Sequence, residues 1–525
     1  MAFVVFLTYV MVYCVDYDVL FNVKPSLEYK SFWSLIDLGQ LGRLSFFPFI
    51  CLSLFLMFLG FQAFQIVRDY PRLRGMFEFF TVLLEIPDEE LSTCDLQVII
   101  NKIVKLQEEH RLSVDRLNAL DIANRIMRKE NYLIAIFNKE VLNLTLPIPF
   151  YSSKPLLTKL LEWNLSYCIL NYVFDEKFTI RQGFLKDTQR DQLAHGLKKR
   201  FFVMGVVNII LSPFILVFLI MYFFLRYGEE IYQNPRSVGT RQYTPYARWK
   251  LREFNELPHI FNTRLTNSYR KAKKYMDQFH NDRLAVIARF ISFVFGSFLV
   301  ILAVMTIINE ELLLKFELSS GRTVIWYIGL FGVLLAISKS FIPDENSPFE
   351  PVQTFNDVAE YTHYIPGHWR NKIHTEQVKN EFGELFQYKL VVLLNEIMGI
   401  ILTPFVLWFS LPSSSYQIVD FFREFTIHVD GIGYVCSFAV FDFKRHGNPK
   451  YGSSFIQTAD KYHQSKQGKM EKSFLSFKAN FPSWQPDEEG SMYLNKVKEA
   501  ERAYSPNPVS TPWAFDSFYQ SSMQV

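Results

Sequence analysis

The sequence predicts an all-α, polytopic membrane protein with four transmembrane helices, two re-entrant helical hairpins and a large cytosolic helical body. Half of the 525 residues are apolar and 53 are Phe, a composition that suits helices facing lipid. Several uncharged runs approach or exceed the ~20 residues that a membrane-spanning helix needs. Two of these runs carry a central proline in related strings, IILSPF and IILTPF.

The first proline-interrupted run, residues 201–225, holds 25 residues without a charge. Basic residues flank both ends, with Lys198 among those before it and Arg226 directly after it. Because Lys and Arg near membrane segments favour the cytosolic face, the run is predicted to enter and leave on the same side. Proline removes a helix donor and clashes one turn back, so a break is expected at Pro213. These features predict a first re-entrant hairpin.

The second such run, residues 390–411, contains Pro404 in the same string context. Paired, proline-interrupted apolar segments point to a transport site in membrane proteins. We therefore predict a second re-entrant hairpin here. Two ordinary spanning helices with proline kinks remain the alternative, because kinked spans are common.

Four other uncharged runs are predicted to span the membrane: 1–15, 46–67, 290–308 and 323–338. The first has too few residues for a complete span, and we interpret it as the second half of a helix. Three arginines follow the second run and place its exit in the cytosol. The segments between these runs are predicted to be lumenal loops at 16–45 and 309–322, cytosolic segments at 68–200, 226–289, 339–389 and 412–449, and a disordered cytosolic tail at 450–525.

The segment 226–289 carries the strongest basic run of the chain. The first interpretation is a solvated flank that follows the positive-inside rule. The second is contact with anionic lipid head groups, where each basic residue adds on the order of 1 kcal/mol. The sequence leaves both open.

Four polar residues are candidates for the mouth or wall of a polar groove in the membrane: Arg226, Lys339, Asn395 and Glu396. The last two lie inside an apolar run, where an ionisable group is costly and faces protein or water rather than lipid. Glu396 is therefore predicted to line a polar groove. The alternative is a carboxylate at the cytosolic edge that pairs with a base such as Lys389.

Sequence motifs for catalysis are absent, since no phosphate-binding glycine loop, HExxH or GxSxG string occurs. We therefore predict no enzyme chemistry and no cofactor. His363, His368 and His374 lie close together, but no Cys or carboxylate stands at ligand spacing, so no metal site is predicted. The five cysteines form no CxxC pair and are expected to be free thiols. A net charge of +3 argues against nucleic acid as a partner.

Two sequons, at Asn143 and Asn164, would mark lumenal exposure if they were glycosylated. The predicted topology places both in the cytosol, because three arginines after residue 67 hold the following segment there. We therefore interpret them as chance matches to the glycosylation pattern.

Several stretches resemble the autophagy-related protein 9 family. The matching strings are NYLIAIFNKEVLNLTLPIP (131–149), LREFNELPHIFNTRL (251–265), SFIPDE (340–345), HYIPGHW (363–369), EFGELFQYK (381–389) and VDFFREFTIHVDGIGYVCSFAVFDFKRHGNP (419–449). They are long, follow the family order and span residues 130–450. The cytosolic N-terminal region of the family and the first half of its first helix have no counterpart here.

The resemblance implies four transmembrane helices, two re-entrant hairpins, cytosolic termini and a homotrimer. It also implies an ATP-independent phospholipid scramblase on Golgi- and endosome-derived vesicles that seed the autophagosome, at the preautophagosomal structure and at endoplasmic reticulum contacts. The partners that it implies are a bridge-like lipid-transfer protein, phosphoinositide-binding beta-propeller proteins and scaffold proteins of autophagy initiation.

Two rival functions differ in class from a scramblase. One is a non-transporting trimer that shapes membranes or recruits lipid-transfer machinery. The other is an ion channel, which is disfavoured because runs 46–67 and 290–308 contain no ring-forming charge.

Overall fold

A computed structural model describes residues 46–91, 94, 96–110, 117–145, 155–233, 240–279, 282–309, 317–319, 322–339, 341–342, 348–453 and 462–504. The predicted first span and the loop at 16–45 lie outside these residues. The chain divides into two units. The first comprises residues 1–112 and 214–227, and the second comprises residues 113–213 and 228–525.

The first unit is helical where it is described. Helix α1 (Phe46–Glu78) contains the run predicted as the second span and continues past Pro71. A π-helical turn, Phe79–Leu83, ends it, and α2 (Asp88–Leu91) and α3 (Leu96–His110) follow. The middle of α1 carries exposed apolar side chains such as Phe61 and Phe64, as expected of a helix that faces lipid.

The second unit begins with short helices that precede one long helix. They are α4 (Ala119–Ile126), α5 (Arg128–Lys139), α6 (Lys159–Leu165) and α7 (Asn171–Val173), with a π-helical turn at Ser166–Leu170 and 3₁₀ turns at Gln182–Leu185 and Asp187–Gln189. Asn118 and Asp121 form a capping box at the start of α4, which satisfies two amide groups of its first turn.

Helix α8 (Arg190–Gln233) corrects the break predicted at Pro213, because it runs through this proline and is 44 residues long. Proline cannot donate to the carbonyl of Ile209 four residues earlier. The Ser212 hydroxyl donates to that carbonyl instead, at 3.0 Å, so the acceptor stays satisfied within the helix. The break predicted at Pro213 is therefore wrong, whereas the re-entrant course of this segment stays a prediction.

The second predicted break is also wrong. Pro404 lies inside α15 (Lys389–Phe405), which continues directly into the π-helical turn Val406–Ser410, the 3₁₀ turn Leu411–Ser414 and α16 (Ser415–Glu424). Pro404 removes only one amide donor from the helix. In the π-helical turn that follows, the backbone hydrogen bonds change to the i→i+5 pattern. Whether these two proline-containing segments span the membrane or re-enter on one side is not decided by the helix bounds, so the re-entrant course stays a prediction.

Among the described residues, three helical stretches are long and apolar enough to cross a membrane: Asp187–Phe223, Ala285–Ile308 and Lys389–Glu424. The second lies in α11 (Asp282–Ile308), which packs on the shorter apolar helix α12 (Val324–Lys339). The Phe331 ring of α12 stacks on Phe295 and Phe298 of α11 at 5.5 and 5.6 Å. Strands β2 (Glu317–Ser319) and β3 (Arg322–Thr323) pair before α12.

The core of the helical body in the second unit lies between α10 (Pro258–Asp277), α13 (Pro351–Thr362) and α14 (Glu376–Leu385). Helix α9 (Pro245–Leu251) and two short strands close it, since β1 (Arg241–Tyr243) pairs antiparallel with β4 (Phe386–Tyr388). Buried aromatic rings fill it, among them Tyr243, Tyr275, Phe355, Trp369, Phe382 and Phe386.

The C-terminal segment corrects the predicted disordered tail. A hairpin of β5 (Thr426–Val429) and β6 (Gly433–Cys436) precedes α17 (Phe443–His446), and the chain then folds into α18 (Lys469–Asn480) and α19 (Glu488–Tyr504). Phe474, Phe477 and Trp484 are buried and pack on Phe441. The disorder prediction rested on the polar composition of the segment and took no account of these aromatic residues. Disorder is therefore wrong for residues 462–504.

Candidate functional site

A cavity of ≈ 530 Å³ lies in the second unit, beside the first turns of α15. Asn395 and Glu396, two of the four residues predicted to border a polar groove, form part of its wall. The other lining residues are Pro155, Leu156, Leu157, Thr158, Thr244, Pro245, Tyr246, Lys250, Tyr364, His368, Trp369, Glu381, Glu384, Leu385, Gln387, Val391 and Val392.

The Glu396 carboxylate is held at the start of α6. Its two oxygens accept from the backbone N–H of Lys159 at 3.2 and 3.1 Å. Thr158, the N-cap of α6, accepts from the N–H of Leu161. A carboxylate at a helix N-terminus is favoured by the helix dipole. The described hydrogen bonds of Glu396 are thus made to this helix start.

Gly399 sets the distance between α15 and the start of α6. A Cβ atom added at Gly399 would lie 2.2 Å from Cγ2 of Thr158, so only glycine permits this approach. The crossing places Glu396, one turn earlier on α15, next to the first amide of α6. The close packing at Gly399 therefore determines the position of Glu396 relative to the start of α6.

Lys250 contributes a positive charge to the cavity wall. Its ammonium lies 5.4 Å from the ring centre of Tyr246 and 5.6 Å from that of Tyr364, which are cation–π distances. Glu381 contributes a carboxylate to the wall. The cavity wall therefore carries both acidic and basic groups.

Three side chains donate to Glu381 and keep it ionised. Trp369 Nε1 donates at 2.5 Å and Gln377 Nε2 at 3.1 Å, and His368 Nε2 lies at 2.9 Å. The hydrogen bond from Trp369 is the main cause that lowers the pKa of Glu381 below its usual range, although partial burial opposes it. Sequence reasoning missed Glu381 and Lys250, because neither stands in an apolar run.

Asn395 contributes an amide that is already partly engaged, since its Nδ2 donates to Oε1 of Gln387 at 3.0 Å. Lys339 ends α12 and is exposed, but it does not line the cavity. Arg226 lies in α8, and its side chain is outside the described residues. Of the three predicted residues whose side chains are described, Asn395 and Glu396 line the cavity and Lys339 does not.

The sequence predicts no metal site. Among the described residues, no group of three His, Cys, Asp or Glu side chains is placed to hold an ion. His363 is buried, and its Nδ1 lies 2.6 Å from Glu253. Burial lowers the pKa of His363, so the neutral ring donates to the carboxylate. Cys168 and Cys436 are buried free thiols.

Comparisons with known proteins agree on one family. A profile described as "Autophagy protein ATG9" matches residues 1–442. The chain is 42% identical over 501 residues to autophagy-related protein 9 of Sclerotinia sclerotiorum, covering 92% of this chain and 52% of the relative. It is 44% identical over 506 residues to that of Coccidioides immitis, covering 91% and 54%.

The fold comparison gives the same answer. The structure is similar to the cryo-EM structure of Schizosaccharomyces pombe Atg9, with a TM-score of 0.60 and 40% identity over 77% of this chain and 90% of that one. The chain spans about half the length of the two curated relatives above. Profile, identity and fold together show that this chain belongs to the autophagy-related protein 9 family, and its apolar helices make it a membrane protein of autophagy.

Proposed function

We propose that the chain is an ATP-independent phospholipid scramblase of autophagy vesicles, which redistributes lipids between leaflets while the phagophore forms and expands. The observation that supports this most is the cavity of ≈ 530 Å³ whose polar wall is built on the apolar helix α15. An apolar helix that places a carboxylate and an amide on a cavity wall offers water and head groups a polar surface beside lipid.

The physical task of a scramblase is to lower one barrier. A polar head group that crosses hydrocarbon loses its hydrogen bonds to water, which costs several kcal/mol for each unsatisfied group. In the proposed path, Lys250 attracts the lipid phosphate, while Glu381 and Glu396 attract an ammonium group. The acyl tails stay in the bilayer throughout. No bond is made or broken, so neither a nucleotide nor a cofactor is required.

The proposed assembly and setting extend this activity. The protein acts as a homotrimer on Golgi- and endosome-derived vesicles at the preautophagosomal structure and at endoplasmic reticulum contacts, with both termini in the cytosol. It receives phospholipids from a bridge-like lipid-transfer protein, and phosphoinositide-binding beta-propeller and scaffold proteins of autophagy initiation bind to it. The family resemblance supports each of these points.

The test is scrambling by the purified chain in liposomes that carry a head-group-labelled fluorescent phospholipid. A membrane-impermeant reductant is added without ATP. We expect it to bleach the probe of both leaflets in protein-containing liposomes, but only the outer leaflet in protein-free liposomes. Bleaching confined to the outer leaflet, with the protein shown to be inserted and folded, would instead support the non-transporting scaffold.

A further inference from the structure

Helix α6 and the π-helical turn that follows it expose one row of side chains. Residues spaced four apart lie on the same face of a helix, and the residues at this spacing are all exposed: Lys159, Trp163, Tyr167 and Asn171. The rings of Trp163 and Tyr167 stack with their centres 5.7 Å apart, and these residues are 57% and 42% exposed. Two large rings exposed side by side indicate an interaction surface.

The opposite side of this segment is fixed to α8 by hydrogen bonds. Asn164 and Asn208 are buried, and the amide of each donates to the carbonyl of the other, at 3.2 and 2.7 Å. The thiol of Cys168 donates to the backbone carbonyl of Arg200 at 3.9 Å. Because later residues of one segment meet earlier residues of the other, the two segments run antiparallel. The exposed row is therefore held beside the first turns of α8.

The part of α8 that α6 contacts belongs to an apolar run. Asn208 lies within the uncharged residues 201–225, in a helical stretch that is apolar enough to cross a membrane. Phe202 and Val206, on the same turns of α8, are exposed as well. A segment that is hydrogen-bonded to a residue of a membrane helix lies at the membrane too. The sequence predicts α6 as part of a cytosolic segment, because its own composition is mixed.

Positive charge borders the same surface. Lys199 is exposed, and it lies in the basic group that precedes the apolar run. The Arg200 guanidinium lies 5.8 Å from the ring centre of Tyr167 and 5.0 Å from that of Tyr172. Trp and Tyr are enriched where a membrane meets water, and Lys and Arg beside such rings attract anionic head groups. The charge and the rings together match a phospholipid surface.

We propose that α6 lies in the membrane interface, with Trp163 and Tyr167 among the phospholipid head groups and Lys199 and Arg200 beside their phosphates. The exposed row is polar or aromatic from end to end, as expected of a helix whose axis follows the membrane plane. The Lys159 side chain can extend towards water from this position. This surface attaches the helical body to the membrane whether or not the chain scrambles lipid.

Quenching of tryptophan fluorescence by brominated phospholipids tests the proposal, with the full chain in lipid nanodiscs. One set of discs carries bromine at the head-group end of the acyl chains, a second set carries it at the chain ends, and a third carries none. The emission lost in Trp163→Phe is the contribution of Trp163. We expect this contribution to be quenched most by bromine near the head groups. Trp484→Phe removes a ring that is 6% exposed and serves as the matched control, because the contribution of Trp484 should be equal in all discs.

A second variant keeps the test decisive. Tyr167→Trp, introduced into the Trp163→Phe protein, moves the reporter one turn along the same face and should restore quenching near the head groups. If Trp163→Phe fails to fold, Tyr167→Trp in the otherwise unchanged chain decides. Equal emission of Trp163 in all three sets of discs would overturn the proposal and indicate that protein, such as a second copy, covers the row. Strongest quenching by bromine at the chain ends would overturn it as well.

Discussion

Replacing Arg264 with Met should destabilise the helical body strongly. Its guanidinium donates to both carboxylate oxygens of Glu256, at 2.7 and 2.8 Å. It also donates to the carbonyls of Tyr361 and Leu251, at 2.6 and 3.0 Å. The Arg264 and Glu256 side chains are 11% and 3% exposed. The variant therefore leaves a buried carboxylate without its cation.

The expected loss is about 3–5 kcal/mol of unfolding free energy, the cost of breaking a buried ion pair from one side. Lys271 offers a matched control on the same helix, α10. It pairs with Asp357 at 3.0 Å, but these side chains are 43% and 39% exposed. Exposed pairs contribute about 0–1 kcal/mol, so Lys271→Met should have little effect.

Thermal unfolding of the two variants and the wild type in one detergent gives the comparison. We expect a clearly lower Tm for Arg264→Met and a Tm close to wild type for Lys271→Met. Equal shifts for the two variants would refute the reasoning, because burial would then not determine what an ion pair contributes.

Three further outcomes are expected. Burial lowers the pKa of His446 from 6.5 to about 3, so its neutral ring stabilises the fold above pH ~6.5 and that stability is lost as the pH falls towards 3. Between pH 7.5 and 5, the Tm of His446→Asn should therefore decrease less than the Tm of the wild type. An equal decrease would contradict this expectation. Trp484→Ala, which removes a ring that is 6% exposed, should cost about 3–5 kcal/mol and accelerate proteolysis within 462–504. Asn164 is fully buried and its Nδ2 donates to Asn208 at 3.2 Å, so endoglycosidase should produce no mobility shift that maps to this sequon.

The sequence alone predicted those features that depend on local composition. An uncharged run of 19 residues at 290–308 is enough to predict a helix, because length and hydropathy are properties of the segment itself. The family was likewise predicted from contiguous strings. The structure and the comparisons confirm the helical class and the family.

Features that depend on a particular side-chain bond were not predictable in this way. Proline usually breaks a helix, but the Ser212 hydroxyl satisfies the carbonyl that Pro213 leaves free. In the C-terminal segment, the rings of Phe474 and Phe477 pack on Trp484. These contacts allow the segment to fold although its composition is polar. Glu381 lines the cavity only because distant parts of the chain fold together, and no local signal marks it.

Scrambling by two variants of Glu396 tests the central claim, that the wall of this cavity forms the lipid path. Glu396→Gln keeps an acceptor for the amide of Lys159, whereas Glu396→Leu removes both the acceptor and the polar wall. Head-group reduction rates are measured in liposomes with matched amounts of folded protein. A barrier raised by about 1–2 kcal/mol predicts scrambling slowed roughly 5- to 30-fold for Leu. A smaller slowing is expected for Gln, which loses the charge but keeps a polar wall. A wild-type rate for a folded Glu396→Leu protein would contradict the account and remove Glu396 from the lipid path.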